Sequence, residues 1–237
     1  MPGLTYTTYK TALATLSVVP ETDPNWLAIL PSAIDYAELR IYRDLDLLST
    51  VSSTTDYVLT QNASKVVLPE GVFVTIQNVN IIAPAGTVVP DNGTRVPLLP
   101  VSKEYIQYAW PSAINASTPK YFAMINNRSF SVGPWPDANY RMEIIGTIRP
   151  PTLSDTNPTT FISEYLPDLF LMASMIFISG YQRNFGRQSD DPAMSQSYES
   201  QYTALLRGAT VEEFRKKFSA SGWSSMSPSP IATPGRG

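Results

Sequence analysis

The sequence contains no cysteine and no histidine among its 237 residues. The first absence excludes disulfides, thiolate metal sites and cysteine nucleophiles. The second removes the usual general base, the Ser-His-Asp triad and imidazole metal ligands. Positive charge is also scarce. Residues 1–60 hold 3 bases and 7 acids, 61–150 hold 7 and 5, and 151–237 hold 7 and 8. No segment is strongly basic, and the only short cluster, Arg215, Lys216 and Lys217, follows Glu212 and Glu213. Sequence-independent binding of DNA phosphates requires clustered Lys and Arg, so it is not expected.

No P-loop, dinucleotide fingerprint or metal-ligand spacing is present, and neither cofactor nor metal is expected. Carboxylates are the remaining catalytic resource. Asp190 with Asp191 reads as a helix N-terminus, and Glu212 with Glu213 as capping and surface charge. A glycosidase-like carboxylate pair assembled from distant positions stays open on the sequence alone. Long apolar runs are missing as well: Leu169 to Ile178, interrupted by Ser174, spans about 15 Å as a helix, roughly half a bilayer core, so no membrane span is expected. The N-terminal ten residues lack a basic region followed by an apolar stretch, so no secretory signal is expected, and the sequons at Asn62, Asn92, Asn115 and Asn127 read as composition rather than glycosylation.

What is there belongs to a folded chain, 43% hydrophobic and 16% charged, with 21 prolines against 12 glycines marking many fixed turns. Tyr6, Tyr9, Leu13 and Leu16 form one stripe that predicts a helix over Thr5 to Leu16. Ser32 is the expected N-cap of a second helix, with Ile34, Ala37, Ile41, Leu45 and Leu48 inward and Asp35, Glu38, Arg40, Arg43 and Asp46 on a solvated face. From about Thr55 the period changes to two. Val72, Val74 and Ile76 fall out of phase with Val79 and Ile81, which predicts a bulge near Asn78. Asn126 and Asn127 are the expected positive-φ turn of a hairpin, and Tyr140 to Ile148 alternates as a half-buried strand ended by Pro150 and Pro151.

Helix resumes afterwards. Tyr165 to Phe177 is apolar on nearly all sides and predicts a central helix. Asp191 and Pro192 open another, bearing Met194, Tyr198, Tyr202 and Leu205 and ending at Gly208. Thr210 and Glu213 then predict a capping box for a short last helix with Val211, Phe214 and Phe218 on its apolar face. Beyond Phe218 the Ser, Pro and Gly content is too poor in apolar residues to fold alone. The expected fold class is α+β: a helical bundle from residues 1–54 and 153–218, an inserted β-sandwich or barrel-like lobe at 55–152, and an extended tail at 219–237. Tyr105, Tyr108 and Trp110, with Trp135 between two prolines, either close the end of the β-core or form a stacking platform for sugars or bases.

The early acidic helix AELRIYRDLDLL, the strand phrase SFSVGPWPDANYRMEIIGTIRPPTLS and the phrase FISEYLPDLFLMASMIF, in this order and spacing, resemble the head-to-tail adaptor (connector) proteins of short-tailed bacteriophages. The resemblance implies a non-enzymatic virion subunit of a twelve-membered ring in the neck between capsid and tail, assembled in the bacterial host cytoplasm. Its implied partners are further copies of itself, a portal protein and a tail nozzle or hub protein, with genome DNA passing through the channel without specific binding. Helices would line that channel, with the β-lobe turned outward or toward the tail. A tail or capsid-decoration protein with a carbohydrate-binding β-lobe is the alternative. Two sets of candidate residues follow. Asp35, Glu38, Asp44 and Asp46 are expected on a negative channel-facing surface that repels DNA. The tail is expected to be disordered in the free subunit and to dock on the portal through Trp223, Met226, Pro228, Pro230 and Ile231.

Overall fold

A computed structural model describes residues 3–184 and 192–220. The chain divides into two units, residues 49–150 and the chain on either side of them. The first unit is helical. α1 (Tyr6–Leu16) begins on a reciprocal capping box between Thr5 and Thr8 and buries Tyr9, Leu13 and Ala14. Leu16, expected on the same stripe, is exposed, because the chain turns out of the helix at Ser17.

α2 (Pro24–Asp44) starts more than a turn before the expected Ser32, with the Asp23 carboxylate accepting from the amides of Asn25 and Trp26. Pro31 sits inside it. An interior proline costs about 3 kcal/mol through its missing N–H and ring clash. Burying Trp26 and Leu30 upstream offsets this, since each large apolar side chain contributes roughly 1.5–3 kcal/mol. Pro31 and Leu27 lie on the exposed side, where water can reach the orphaned carbonyl.

The central helix is found as expected, preceded by a separate short turn of helix. α4 (Phe161–Tyr165) and α5 (Pro167–Asn184) break at Leu166, with Pro167 opening α5, where its missing N–H is harmless. α5 packs against α1, α2, α4 and the last helix, α6 (Pro192–Ala220). Phe170 stacks on Tyr9 at 4.3 Å between ring centroids, and the Tyr9 hydroxyl bonds Ser174 Oγ at 2.6 Å and donates to the Phe170 carbonyl.

α6 (Pro192–Ala220) corrects two expectations at once: it passes unbroken through Gly208, and no capping box forms at Thr210. Thr210 Oγ1 instead donates back to the Leu206 carbonyl, four residues earlier. The buried stripe runs on through Tyr202, Ala209 and Glu213, and that packing outweighs the roughly 1 kcal/mol cost of a helical glycine. One continuous helix puts Val211 and Phe214 on the side opposite this stripe. The expected apolar face of a last helix therefore points outward. The expected N-cap at Asp191 lies outside the described residues, as does tail residue 221 onward.

The second unit is a sandwich of two open four-stranded sheets, with no closed barrel. One sheet is ordered β1 (Val51–Leu59), β8 (Tyr140–Thr147), β3 (Thr75–Ala83), β4 (Thr94–Pro97). The other is ordered β2 (Lys65–Val67), β7 (Ser129–Gly133), β6 (Tyr121–Asn126), β5 (Leu99–Pro100). Only β5 and β6 pair in parallel. One core fills the space between the sheets, with Val79, Ile81, Met142 and Ile144 from the first meeting Phe122, Phe130 and Val132 from the second. β8 alternates buried and half-buried residues along its length, as its sequence period requires.

The slip in β3 is a bulge between Ile76 and Asn78, after which Val79 and Ile81 face the core. Val72 and Val74 lie in the loop before the strand. The β6–β7 turn falls one residue later than expected, on Asn127 and Arg128, and neither has positive φ. Asn126 holds it instead: its Oδ1 accepts from the amides of Arg128 and Ser129. α3 (Lys103–Ala109) lies against β6 and β7.

Candidate functional site

The four acids expected on one negative surface meet different fates in the helical unit. Asp35 is exposed on α2. Glu38 is withdrawn from solvent, only 3% exposed, and its Oε1 accepts from the Leu153 amide at 3.0 Å. Burial pushes its carboxyl up to about 7, against the lowering effect of bonds from Leu153 and the Thr152 side chain. The α2 face predicted to be solvated is thus interrupted at Glu38, because the chain returning after Pro151 lies across it. Asp44 accepts from the Tyr202 hydroxyl at 2.7 Å and lies 3.7 Å from Arg40 Nε. Arg40 in turn forms a two-pronged pair with Glu199 and covers the Tyr202 ring at 4.4 Å from its centroid. Desolvation, with Asp44 beside it, holds the Tyr202 hydroxyl well above the ordinary tyrosine range. Asp46 pairs with Lys217.

Glu213, read from the sequence as a capping residue, is a second buried carboxylate. Its Oε2 accepts from the Leu48 amide at 3.2 Å and its Oε1 from Lys216 at 2.8 Å. Glu212 pairs with the same lysine. Both members of this adjacent acid pair are therefore held by groups of their own unit, and Asp190 with Asp191 lies outside the described residues. Among the described residues no group of three or more acids could hold a metal ion, and no helix is long and apolar enough to cross a membrane.

In the β unit the aromatic candidates pack on one another. Trp110 stacks on Tyr121 at 5.5 Å between centroids, Tyr105 meets both edge-on, and the Trp135 indole donates to the Trp110 carbonyl at 2.8 Å. A Cβ on Gly133 would come within 2.5 Å of the Trp110 ring, so the glycine is what lets the indole lie against β7. Tyr121 and Gly133 alternate with the core residues Phe122 and Val132, so the cluster packs α3 onto the outer face of the β6–β7 pair rather than within the core between the sheets. Tyr108, also a candidate, points into solvent beside it.

Exposed apolar side chains are the remaining feature of the helical unit. Val211 and Phe214 are 51% and 70% exposed on α6, and Val18, in the turn between α1 and α2, is 90% exposed. Val18 also has φ of +54°, a region that β-branched residues rarely adopt. Nothing in the sequence singles out Val18. Val211 and Phe214 are legible in the sequence as the apolar residues of a short last helix, but that pattern does not give the direction they face. The candidate docking residues Trp223, Met226, Pro228, Pro230 and Ile231 lie outside the described residues.

Comparison with protein families matches residues 4–227 to the family described as SU10 adaptor protein. No curated protein matches the chain.

Proposed function

The chain belongs to the SU10 adaptor protein family, a phage head-to-tail adaptor family, and from that membership we propose that it forms a closed ring, dodecameric, between the portal and the tail of a short-tailed phage. The observation that carries the proposal is the extent of the match, which spans both the helical unit and the inserted sandwich rather than one of them. The role is structural. The ring extends the DNA channel beneath the portal and offers the tail nozzle or hub a platform, and the genome passes without specific binding. Assembly is in the host cytoplasm, and the mature location is the virion neck.

Two physical features support this reading. The core of each unit is filled by its own side chains, yet large apolar residues remain on the outside of α6 and at the α1–α2 turn, as a subunit that keeps surface for neighbours requires. Charge offers little hold on DNA, and Asp35, Asp44 and Asp46 stay as candidates for a channel wall once Glu38 is set aside. Residues 219–237 are proposed as the portal anchor, with Trp223 its main side chain and Met226, Pro228, Pro230 and Ile231 beside it; repetition around a ring multiplies a weak contact.

Electron microscopy of portal mixed with the full chain should show an added ring of density on the portal. Portal particles without that density at saturating chain would overturn the proposal. Deleting residues 221–237 should leave circular dichroism and melting unchanged while abolishing co-purification with portal; retention at full occupancy would show that the anchor lies elsewhere.

A further inference from the structure

Among the described residues of the helical unit, two of the surfaces that carry exposed apolar side chains differ in charge. On α6, opposite the buried Tyr202–Ala209–Glu213 stripe, Ala204, Arg207, Gly208, Val211, Phe214 and Arg215 are all exposed. The charges at its centre are positive, while Glu212 at its margin is taken up by Lys216. A Cβ placed on Gly208 would meet nothing within 4 Å, so the glycine leaves a shallow opening beside the Val211 and Phe214 side chains.

The second surface is the turn between α1 and α2. Val18 stands at its tip with its side chain exposed, at the left-handed position that closes α1: the Val19 amide donates to the Ala14 carbonyl at 3.0 Å and the Val18 amide to that of Thr15 at 3.2 Å. Leu16 and Leu27, both exposed, lie at the adjoining helix ends. The charged residues of the turn, Glu21 and Asp23, are both acidic.

One surface is basic with an opening at a glycine, and the other is acidic with a single apolar side chain projecting from it. Each is therefore complementary to the other and not to itself. We propose that a second copy of this chain seats its α1–α2 turn, Val18 foremost, on the outer face of α6 beside Gly208, Val211 and Phe214, with Glu21 drawn toward Arg207 and Arg215. This rests on the ring reading above and names the contact that builds the ring. Such a contact is heterologous: every subunit gives its turn to one neighbour and its α6 to the other, which closes a ring when the rotation between copies is a whole fraction of a circle.

The lack of native cysteine makes the test direct. Full-length Val18→Cys and Gly208→Cys variants, both at exposed positions, are mixed, assembled with portal present, and oxidised mildly. The mixture should give a disulfide-linked dimer of the chain at least tenfold above either variant alone. In parallel, Arg207→Glu with Arg215→Glu should weaken self-assembly at least tenfold with unchanged circular dichroism, and Glu21→Arg in the partner copy should restore part of the loss. Native mass spectrometry separates the two layers of the argument. An oligomer that forms without the mixed cross-link, or with Val18→Cys linked to itself or to a cysteine engineered into the portal, overturns this contact and leaves the ring reading intact. A chain that never oligomerises, with or without portal, overturns the ring reading and this contact together.

Discussion

The Glu38 carboxylate lies 3.0 Å from the backbone nitrogen of Leu153, 115 residues away in sequence, at the point where the chain re-enters the helical unit. The charged form is desolvated there, and the neighbouring Asp35 charge adds to its cost. With a folded pKa of about 7 against an ordinary value of 4.5, the folded protein holds this proton across a range in which the unfolded chain has released it. The stabilisation is complete below pH 4.5 and is lost as pH rises from there to 7, amounting to about 3 kcal/mol at 1.36 kcal/mol per pH unit. Glu38→Gln keeps an acceptor for Leu153 and cannot ionise. It should match the parent at pH 5 and melt higher than it at pH 8, as read by calorimetry; equal pH profiles for the two proteins would contradict this.

Tyr9 and Ser174 join α1 to α5 through a buried hydroxyl pair at 2.6 Å. Tyr9→Phe keeps the ring stacked on Phe170 but leaves the Ser174 hydroxyl only a long contact to the Ala33 carbonyl at 3.5 Å. Chemical denaturation should show a loss of about 1–2 kcal/mol, the scale for an under-satisfied buried polar group. Tyr9→Phe with Ser174→Ala should recover part of that loss.

Two glycines should respond in opposite directions to alanine. At Gly146 on β8 a Cβ would fall 2.4 Å from the Thr75 carbonyl oxygen and 2.8 Å from the Phe73 ring, so β3 must shift. A loss of about 1–3 kcal/mol is expected from such overpacking. At Gly180 on α5 nothing lies within 4 Å, and alanine should stabilise by roughly 0.5–1 kcal/mol through helix propensity. Urea midpoints of the two variants should bracket the parent.

Val18→Gly removes the positive-φ penalty of a β-branched residue, on the order of 1 kcal/mol. The free chain should melt a few degrees higher while assembling less well. The backbone at this position closes α1, where glycine fits best, so a more stable subunit that assembles less well would assign the contact to the valine side chain; a lower melting temperature would count against this.

The α+β division was legible because the apolar period itself changes, from three or four to two near Thr55 and back after Pro150 and Pro151. β1 nevertheless begins at Val51, since strand pairing with Thr147 extends past the pattern that marks it. Local signals misled where tertiary packing overrode them. Ser32, Gly208 and Thr210 each carry the chemistry of a helix end, yet Trp26 and Leu30 upstream and Ala209 and Glu213 downstream bury enough surface to carry the helices through. Glu38 could not be placed from α2 alone, because the segment covering it lies more than a hundred residues later in the chain. For the same reason the outward face of α6 was invisible: its direction depends on whether Gly208 ends the helix.

The sandwich returns its chain to where it began. Val51 is paired with Thr147, and the Ile148 amide donates to the Thr50 carbonyl at 2.8 Å. During folding, an unstructured insertion of this length would oppose the meeting of α2 with α5, because closing a loop of about 100 residues rather than about four costs roughly 3 kcal/mol more. Once folded, the sandwich acts as a tight turn and removes most of that cost. The lobe is thus expected to set the folding order of the subunit: sandwich first, then the meeting of α2 with α5.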